Sequence, residues 1–222
     1  MSKSDRKHKV DALMEQASEA LAQGKYFDAE RLSVQALAAA EQAGDYERMA
    51  RIVLPLQEAR RQKRLAAIDT GKIIRMSEER DLENKVQSAC YLIEPMLVAA
   101  HGRDLRLRTN EEQVPVLIVV REPHTQAGAW PICMIGPKTV RARIAPPPKG
   151  KDGQPHPTIE WMVAASEALG DEAIAMVDPD ADVTDRVKQL HELLSTCPEH
   201  EKLHQALEEA CREAARLAPA TR

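Results

Sequence analysis

The chain is poor in several things that specific functions require. Aromatic residues make up only 3% of its 222 positions: one Phe, two Trp and three Tyr. That leaves little flat surface on which bases or sugars could stack. Glycine is also scarce, at nine residues, and no Gly-rich phosphate loop or GxSxG elbow occurs. Together these give no encouragement for a cofactor cleft, and no cofactor is expected. No run of 18 apolar residues exists, so no membrane span is expected. The first residues, MSKSDRKHKVDALMEQ, are basic but lack the apolar stretch of a secretory signal. The four cysteines (Cys90, Cys133, Cys197 and Cys211) are scattered without a CxxC pair, which reads as reduced thiols in a cytoplasmic protein.

What is present is ordinary for a globular chain: 30% charged and 43% apolar residues, in a length sufficient for one large or two small cores. The net charge of −4 hides an asymmetry. Residues 1–85 carry 16 basic and 15 acidic side chains, residues 86–150 carry 8 and 5, and residues 151–222 carry 7 and 15. The acidic last third argues against a phosphate-backbone binder, so nucleic acid is not the expected partner.

Three helices are predicted at the start. Val10, Leu13, Met14, Ala17, Ala20 and Leu21 recur at helical spacing over 5–23, and Gly24 suits a helix end. A second helix spans about 27–42 with Ala29, Leu32, Ala36, Leu37 and Ala40 inward, and Gly44-Asp45 ends it. A third begins near Tyr46 with Met49, Ala50, Val53, Leu56 and Ala59 inward, and Pro55 should kink or split it. Arg60, Arg61, Lys63 and Arg64 form a basic cluster read as a solvated helix end, with a nuclear-localisation or nucleic-acid patch as the alternative.

The string QGKYFDAERLSVQAL resembles the core of a tetratricopeptide repeat (TPR). Gly24 would allow the tight turn, Tyr26 would pack across it, and Ala29 and Ala36 would let paired helices approach. The following AEQAGDYERMA is similar to the junction into a next repeat. The resemblance covers residues 8–62, about one and a half repeats, and departs from the pattern at Pro55 and in lacking a fourth helix. It implies binding of an extended peptide or another protein. About three repeats are needed for a free-standing array, so this unit should dock on the rest of the chain or on another chain. The implied partner surface lies on the second and third helices, with Tyr26, Phe27, Glu30, Tyr46 and Arg51 as contact residues.

Residues 67–86 are polar and aperiodic and read as a connector between a helical unit, 1–66, and an α+β domain, 87–222. In that domain Ala89–Ile93 reads as a strand, and 96–112 as a helix that Gly102 weakens. Pro115–Val120 reads as a central strand buried on both faces, and Trp130–Ile135 with Thr139–Ile144 as a hairpin. In the last strand Arg141 and Arg143 alternate away from Val140, Ala142 and Ile144. That face is either solvated or, joined by Arg121, an anion site. A Pro-rich loop, APPPKGKDGQPHP, precedes a helix capped by Thr158 and ended by Gly170. Asp171 to Met176 reads as a further short helix, with a strand as the alternative, and two more helices follow, the last opened by Pro198. The expected fold class is therefore α+β and mostly helical: an N-terminal three-helix unit, then a small sheet of three to four strands covered by C-terminal helices.

Two patterns could hold metal. Asp178, Asp180 and Asp182 have the alternate spacing of a calcium loop. Val183 and Gln189 stand where that loop wants Gly and Glu, so a capping role for Asp182 or Thr184 is the better reading. The string His200-Glu201-Lys202-Leu203-His204 matches H-E-x-x-H, in which two histidines bind zinc and the glutamate is general base. Cys197 would permit a Cys-x2-His-x3-His set. Against both, His200 and His204 fall about 60° and 100° from the centre of the apolar stripe, and Cys211 lies about 10.5 Å beyond His204 along the axis. Lys202 is charged where such helices are apolar, and Pro198 marks a helix start. A packing helix is preferred. The overall expectation is a non-catalytic protein that binds another protein or a second copy of itself, as a homo-oligomer. A zinc hydrolase through His200, Glu201 and His204 is the alternative.

Overall fold

A computed structural model describes residues 3–123 and 128–218. The first three helices are α1 (Lys3–Ala22), α2 (Tyr26–Gln42) and α3 (Tyr46–Ile68). They are joined by two turns built alike. Gly24 and Gly44 adopt φ of +71° and +63°, the left-handed conformation that costs glycine little. At the first turn the Lys25 and Gly24 amides donate to the carbonyls of Ala20 and Leu21, at 2.9 and 3.0 Å. At the second, Asp45 and Gly44 donate to Ala40 and Glu41, both at 2.9 Å. This pairing satisfies the last carbonyls of each helix. Both turns have the form Ala-x3-Gly-x-Tyr, twenty residues apart. Small residues then let the helices close on one another: Ala17, Ala20, Ala29, Ala36, Ala40 and Ala59 are all buried.

Pro55 does not split α3, which is continuous from Tyr46 to Ile68. The hydrogen bond that Pro55 removes would have gone to Arg51, and Arg51 and Leu54 are exposed. Water can therefore take that carbonyl. On the opposite side Met49, Ile52, Val53, Leu56 and Ala59 form an unbroken buried stripe across the proline.

The chain divides into two compact units, and the boundaries differ from those expected from sequence. The first contains the described parts of 1–62, 177–191 and 201–222; the second contains 63–176 and 192–200. The helical unit is thus completed from the far end of the chain by the start of α7 (Val183–Thr196) and by α8 (Glu201–Leu217). α8 buries Leu203, His204, Leu207, Ala210, Cys211 and Ala214 along one face. His191 lies 3.0 Å from Glu41 of α2, and Arg186 pairs with Glu213 at 2.8 Å.

The second unit is built on a five-stranded sheet, β1 (Ile73–Met76), β2 (Ala89–Ile93), β3 (Val116–Arg121), β4 (Trp130–Ile135) and β5 (Thr139–Ile144), in that spatial order. β1, β2 and β3 are parallel, and β4 and β5 run antiparallel. One more strand is present than expected, because β1 and the short α4 (Glu79–Leu82) occupy the stretch read as a connector. β3 is central, and its Leu117 to Val120 are buried on both faces as its apolar run implies. On one face α5 (Ala99–Glu111) covers Tyr91, Ile93, Ile118, Val120 and Cys133. Gly102 lets it approach, since a Cβ there would overlap the Val120 methyl. The other face carries α6 (Ile159–Ala175), whose Trp161 meets Trp130 edge-on at 5.7 Å. Thr158 caps α6, its Oγ1 accepting from the Trp161 amide at 3.2 Å. Gly170 does not end this helix. It is buried within it, where a Cβ would collide with the His200 ring.

Candidate partner-binding groove

α1 and α3 belong to alternate positions in the run of three helices, and their exposed faces line one depression of about 450 Å3. Asp11, Met14, Glu15 and Ser18 come from α1 at i, i+3, i+4 and i+7, and Arg48 and Arg51 come from α3. Arg48 fixes the floor. Its Nε and Nη2 donate to the two Asp11 oxygens at 2.8 and 2.9 Å, and its Nη1 donates to Asp45 at 2.8 Å. Asp45 in turn accepts the Arg48 amide at 3.2 Å, at the start of α3. These hydrogen bonds hold the Asp11 carboxyl below its usual range and raise the Arg48 guanidinium above its own. A bidentate pair of this kind sets the spacing of the two helices as well as their charge. Met14 is half-buried in the groove, and Arg51 is exposed.

The residues expected to contact a partner divide on this geometry. Arg51 lines the groove. Tyr26, Phe27 and Tyr46 are half-buried at the starts of α2 and α3. Glu30 is turned inward and accepts from Arg60 Nε at 2.8 Å, with 15% and 10% of the two side chains exposed. Asp11, Glu15 and Ser18 were missed. Their polar i, i+4, i+7 stripe beside the apolar face of α1 is the signal that could have found them.

The basic cluster on α3 is not a solvated helix end. Arg60 pairs with Glu30, and Arg61 lies 3.3 Å from Glu58 and 3.9 Å from Glu201. In the second unit Lys63 donates to Asn110 at 2.8 Å. Arg64 meets Glu167 at 2.6 Å and the Glu199 carbonyl at 3.1 Å. Every member has an acceptor within the chain.

His200 and His204 also have different neighbours. α8 begins at Glu201, so His200 precedes the helix instead of lying on it. The buried His200 Nε2 lies 3.3 Å from carboxylate oxygens of Glu167 and Asp171 on α6. The buried His204 Nε2 lies 3.4 Å from Arg60 Nη1, a cation where a metal ligand would need a metal. Among the described residues, no group of three or more His, Cys, Asp or Glu side chains is placed to hold a metal ion. Asp178 and Asp182 serve turns. Asp178 accepts from the Asp180 amide at 3.0 Å, and Asp182 accepts from the Thr184 hydroxyl and amide at 2.7 and 2.8 Å. All four cysteines are buried thiols, and burial pushes Cys90 up to about 11 and Cys133, Cys197 and Cys211 up to about 12. None is poised as a nucleophile near neutral pH.

The three arginines grouped as an anion site do not converge. Register settles this: Arg141 pairs with Cys133, and Cys133 pairs with Val120, so all three side chains share one face. Arg121, next to Val120, projects from the other. Arg141 instead meets Glu122 at 3.1 Å, while the Arg121 guanidinium lies 3.9 Å over the Trp130 ring. No helix among the described residues is long and apolar enough to cross a membrane. Comparison of the chain with protein-family models, with curated proteins and with solved structures gave no match.

Proposed function

We propose that this is a non-catalytic interaction protein, cytoplasmic, whose α1–α3 groove receives a segment of another protein or of a second copy of the chain. The observation that carries the reading is the groove itself. It is a depression of about 450 Å3 lined by alternate helices, with a half-buried Met14 and charges of both signs in its lining. The TPR resemblance of residues 8–62 supports it, because alternate helices of such a run present their faces on the same side. The Arg48–Asp11 bridge supports it too, since a rigid groove loses less entropy on binding than a mobile one.

The test uses the full chain and a groove variant, Met14→Glu with Arg51→Glu. Light scattering first gives the oligomeric state of both. Partners captured from the source cells by the wild type are then purified and titrated against both forms. A partner, or self-association, weakened about tenfold or more by the variant is the expected result. Binding that is indifferent to the groove variant but lost in Tyr26→Ala with Phe27→Ala would move the surface to the turn and sink the groove reading.

A further inference from the structure

The carboxyl ends of the three parallel strands bring together residues that are far apart in sequence. Ile93 is opposite both Met76 and Val120, so Glu94 lies beside Arg121, and Arg75, paired with Leu92, lies on the same face two residues back. In open sheets this end of parallel strands is where ligand crevices form. Here it opens into a pocket of about 450 Å3 lined by Arg75, Ser77, Glu94, Pro95, Arg121 and Pro123.

The pocket has a defined charge and a braced geometry. Glu94 is only 6% exposed. Arg75 holds it with both prongs, Nε at 2.6 Å and Nη2 at 3.0 Å, and Arg121 Nη1 adds a longer contact at 3.5 Å. Two guanidinium groups therefore share one carboxylate, which leaves one uncompensated positive charge at a site walled by two prolines. Arg121 is held in place from behind. Its guanidinium stacks 3.9 Å over Trp130, Trp130 is braced edge-on by Trp161, and the Trp161 indole N–H donates to the Ala145 carbonyl at 2.9 Å. Such stacking fixes the plane in which the remaining N–H groups point. The Arg121 Nε is buried with no hydrogen-bond partner among the described residues, and a surplus charge in a partly desolvated site is costly unless something balances it.

We infer that this pocket binds a small monocarboxylate, its carboxylate received by Arg121 and Arg75 and its body lying against Pro95 and Pro123. A monoanion cancels the single surplus charge. A doubly charged phosphate would carry a second negative charge towards the buried Glu94. The planar Arg121 guanidinium, only loosely engaged by Glu94 at 3.5 Å, offers its Nη groups to a planar carboxylate, and Ser77 adds a hydroxyl to the lining.

The experiment titrates the full chain with N-acetylglycine, benzoate, inorganic phosphate and the uncharged N-acetylglycine amide at fixed ionic strength, following tryptophan fluorescence and calorimetry. Expected is saturable binding of at least one of the two carboxylates, none of the amide, and phosphate at least about tenfold weaker. Arg121→Met should weaken the carboxylate about tenfold or more, and Arg141→Met, on the other face, should leave it unchanged. Circular dichroism and the unfolding midpoint report whether Arg121→Met is folded. If it is not, Arg75→Lys, which keeps the charge and loses the two-pronged hold on Glu94 that shapes the pocket, must show the same weakening. No saturable binding of either carboxylate overturns the inference. So does binding that survives Arg121→Met or, where that variant is unfolded, Arg75→Lys. Phosphate bound as tightly as the carboxylates also overturns it.

Discussion

In the helical unit, one buried cluster consists of three alanines, Ala20, Ala29 and Ala59, flanked by half-buried Leu21 and Leu32. In the sheet unit the comparable cluster holds Tyr91, Ile93, Leu97, Leu105, Ile118 and Val120. The first region brings backbones close and joins them with charged bridges such as Arg48–Asp11 and Arg60–Glu30. The second fills space with large side chains and uses glycine at close approaches, such as Gly102 against Val120 and Gly170 against His200. The difference teaches which perturbation each region should feel: lost volume in the sheet, lost partners and strained turns in the helices.

The largest effect is expected from the sheet. Ile118→Ala should cost about 3–4 kcal/mol, read by urea unfolding, because a fully buried β3 side chain leaves a cavity that close packing cannot collapse. A cost below about 1 kcal/mol would break the contrast. Next comes Arg60→Met, expected to cost about 2 kcal/mol by leaving Glu30 and His204 without their shared cation in a mostly buried place. Adding Glu30→Gln should recover part of that loss, and a double-mutant cycle measures how much. Gly24→Ala and Gly44→Ala should each cost about 1 kcal/mol, since both glycines hold positive φ. Unequal costs would show that the two turns, alike in hydrogen bonding, are not alike in strain. Arg141→Ala should change stability by about 0.5 kcal/mol or less, its side chain being 63% exposed.

The thiols add nothing below pH 9 and a slope above it. Unfolded thiols lose their protons near 9.0, whereas the buried ones hold theirs to about 11 for Cys90 and about 12 for the others. Between those values the unfolded chain binds fewer protons than the native one, so stability falls as pH rises. Comparing urea midpoints at pH 8 and pH 10 for wild type and Cys90→Ala isolates this contribution. A slope identical in both would count against a raised Cys90. Alkylation at pH 8 should be slow in native buffer and complete once the chain is unfolded.

Much of the architecture was legible because it follows local rules. The alternation in Val140 to Ile144, the apolar run of β3 and the glycine stops of α1 and α2 each carry their own signal. What escaped depends on distant partners. Ile73-Ile74-Arg75-Met76 sits in a polar stretch and becomes a strand only by pairing with β2. Gly170 looks like a helix stop, but it serves the His200 ring thirty residues away. His200 and His204 share a motif in sequence, yet their neighbours are Glu167 and Asp171 for one and Arg60 for the other. No spacing reveals those. Grouping Arg121 with Arg141 and Arg143 failed for the same reason, since the face of Arg121 depends on the Val120–Cys133 register. A subtler sign was available: Glu94 and Arg121 are charged residues at the carboxyl ends of otherwise buried strands.

The completion of the helical unit by α8 sets an order of events during synthesis. Arg60 leaves the ribosome long before His204, its neighbour 144 residues downstream. At about 5–20 residues per second that interval is about 7–30 s. For that time the face of α3 that meets α8 stays unfinished, while the sheet unit's strands, β1 to β5, emerge one after another. By the end of the interval the nascent chain holds all five strands and a helical unit still lacking α8, and that unfinished unit is where a chaperone or a premature neighbour would find its hold.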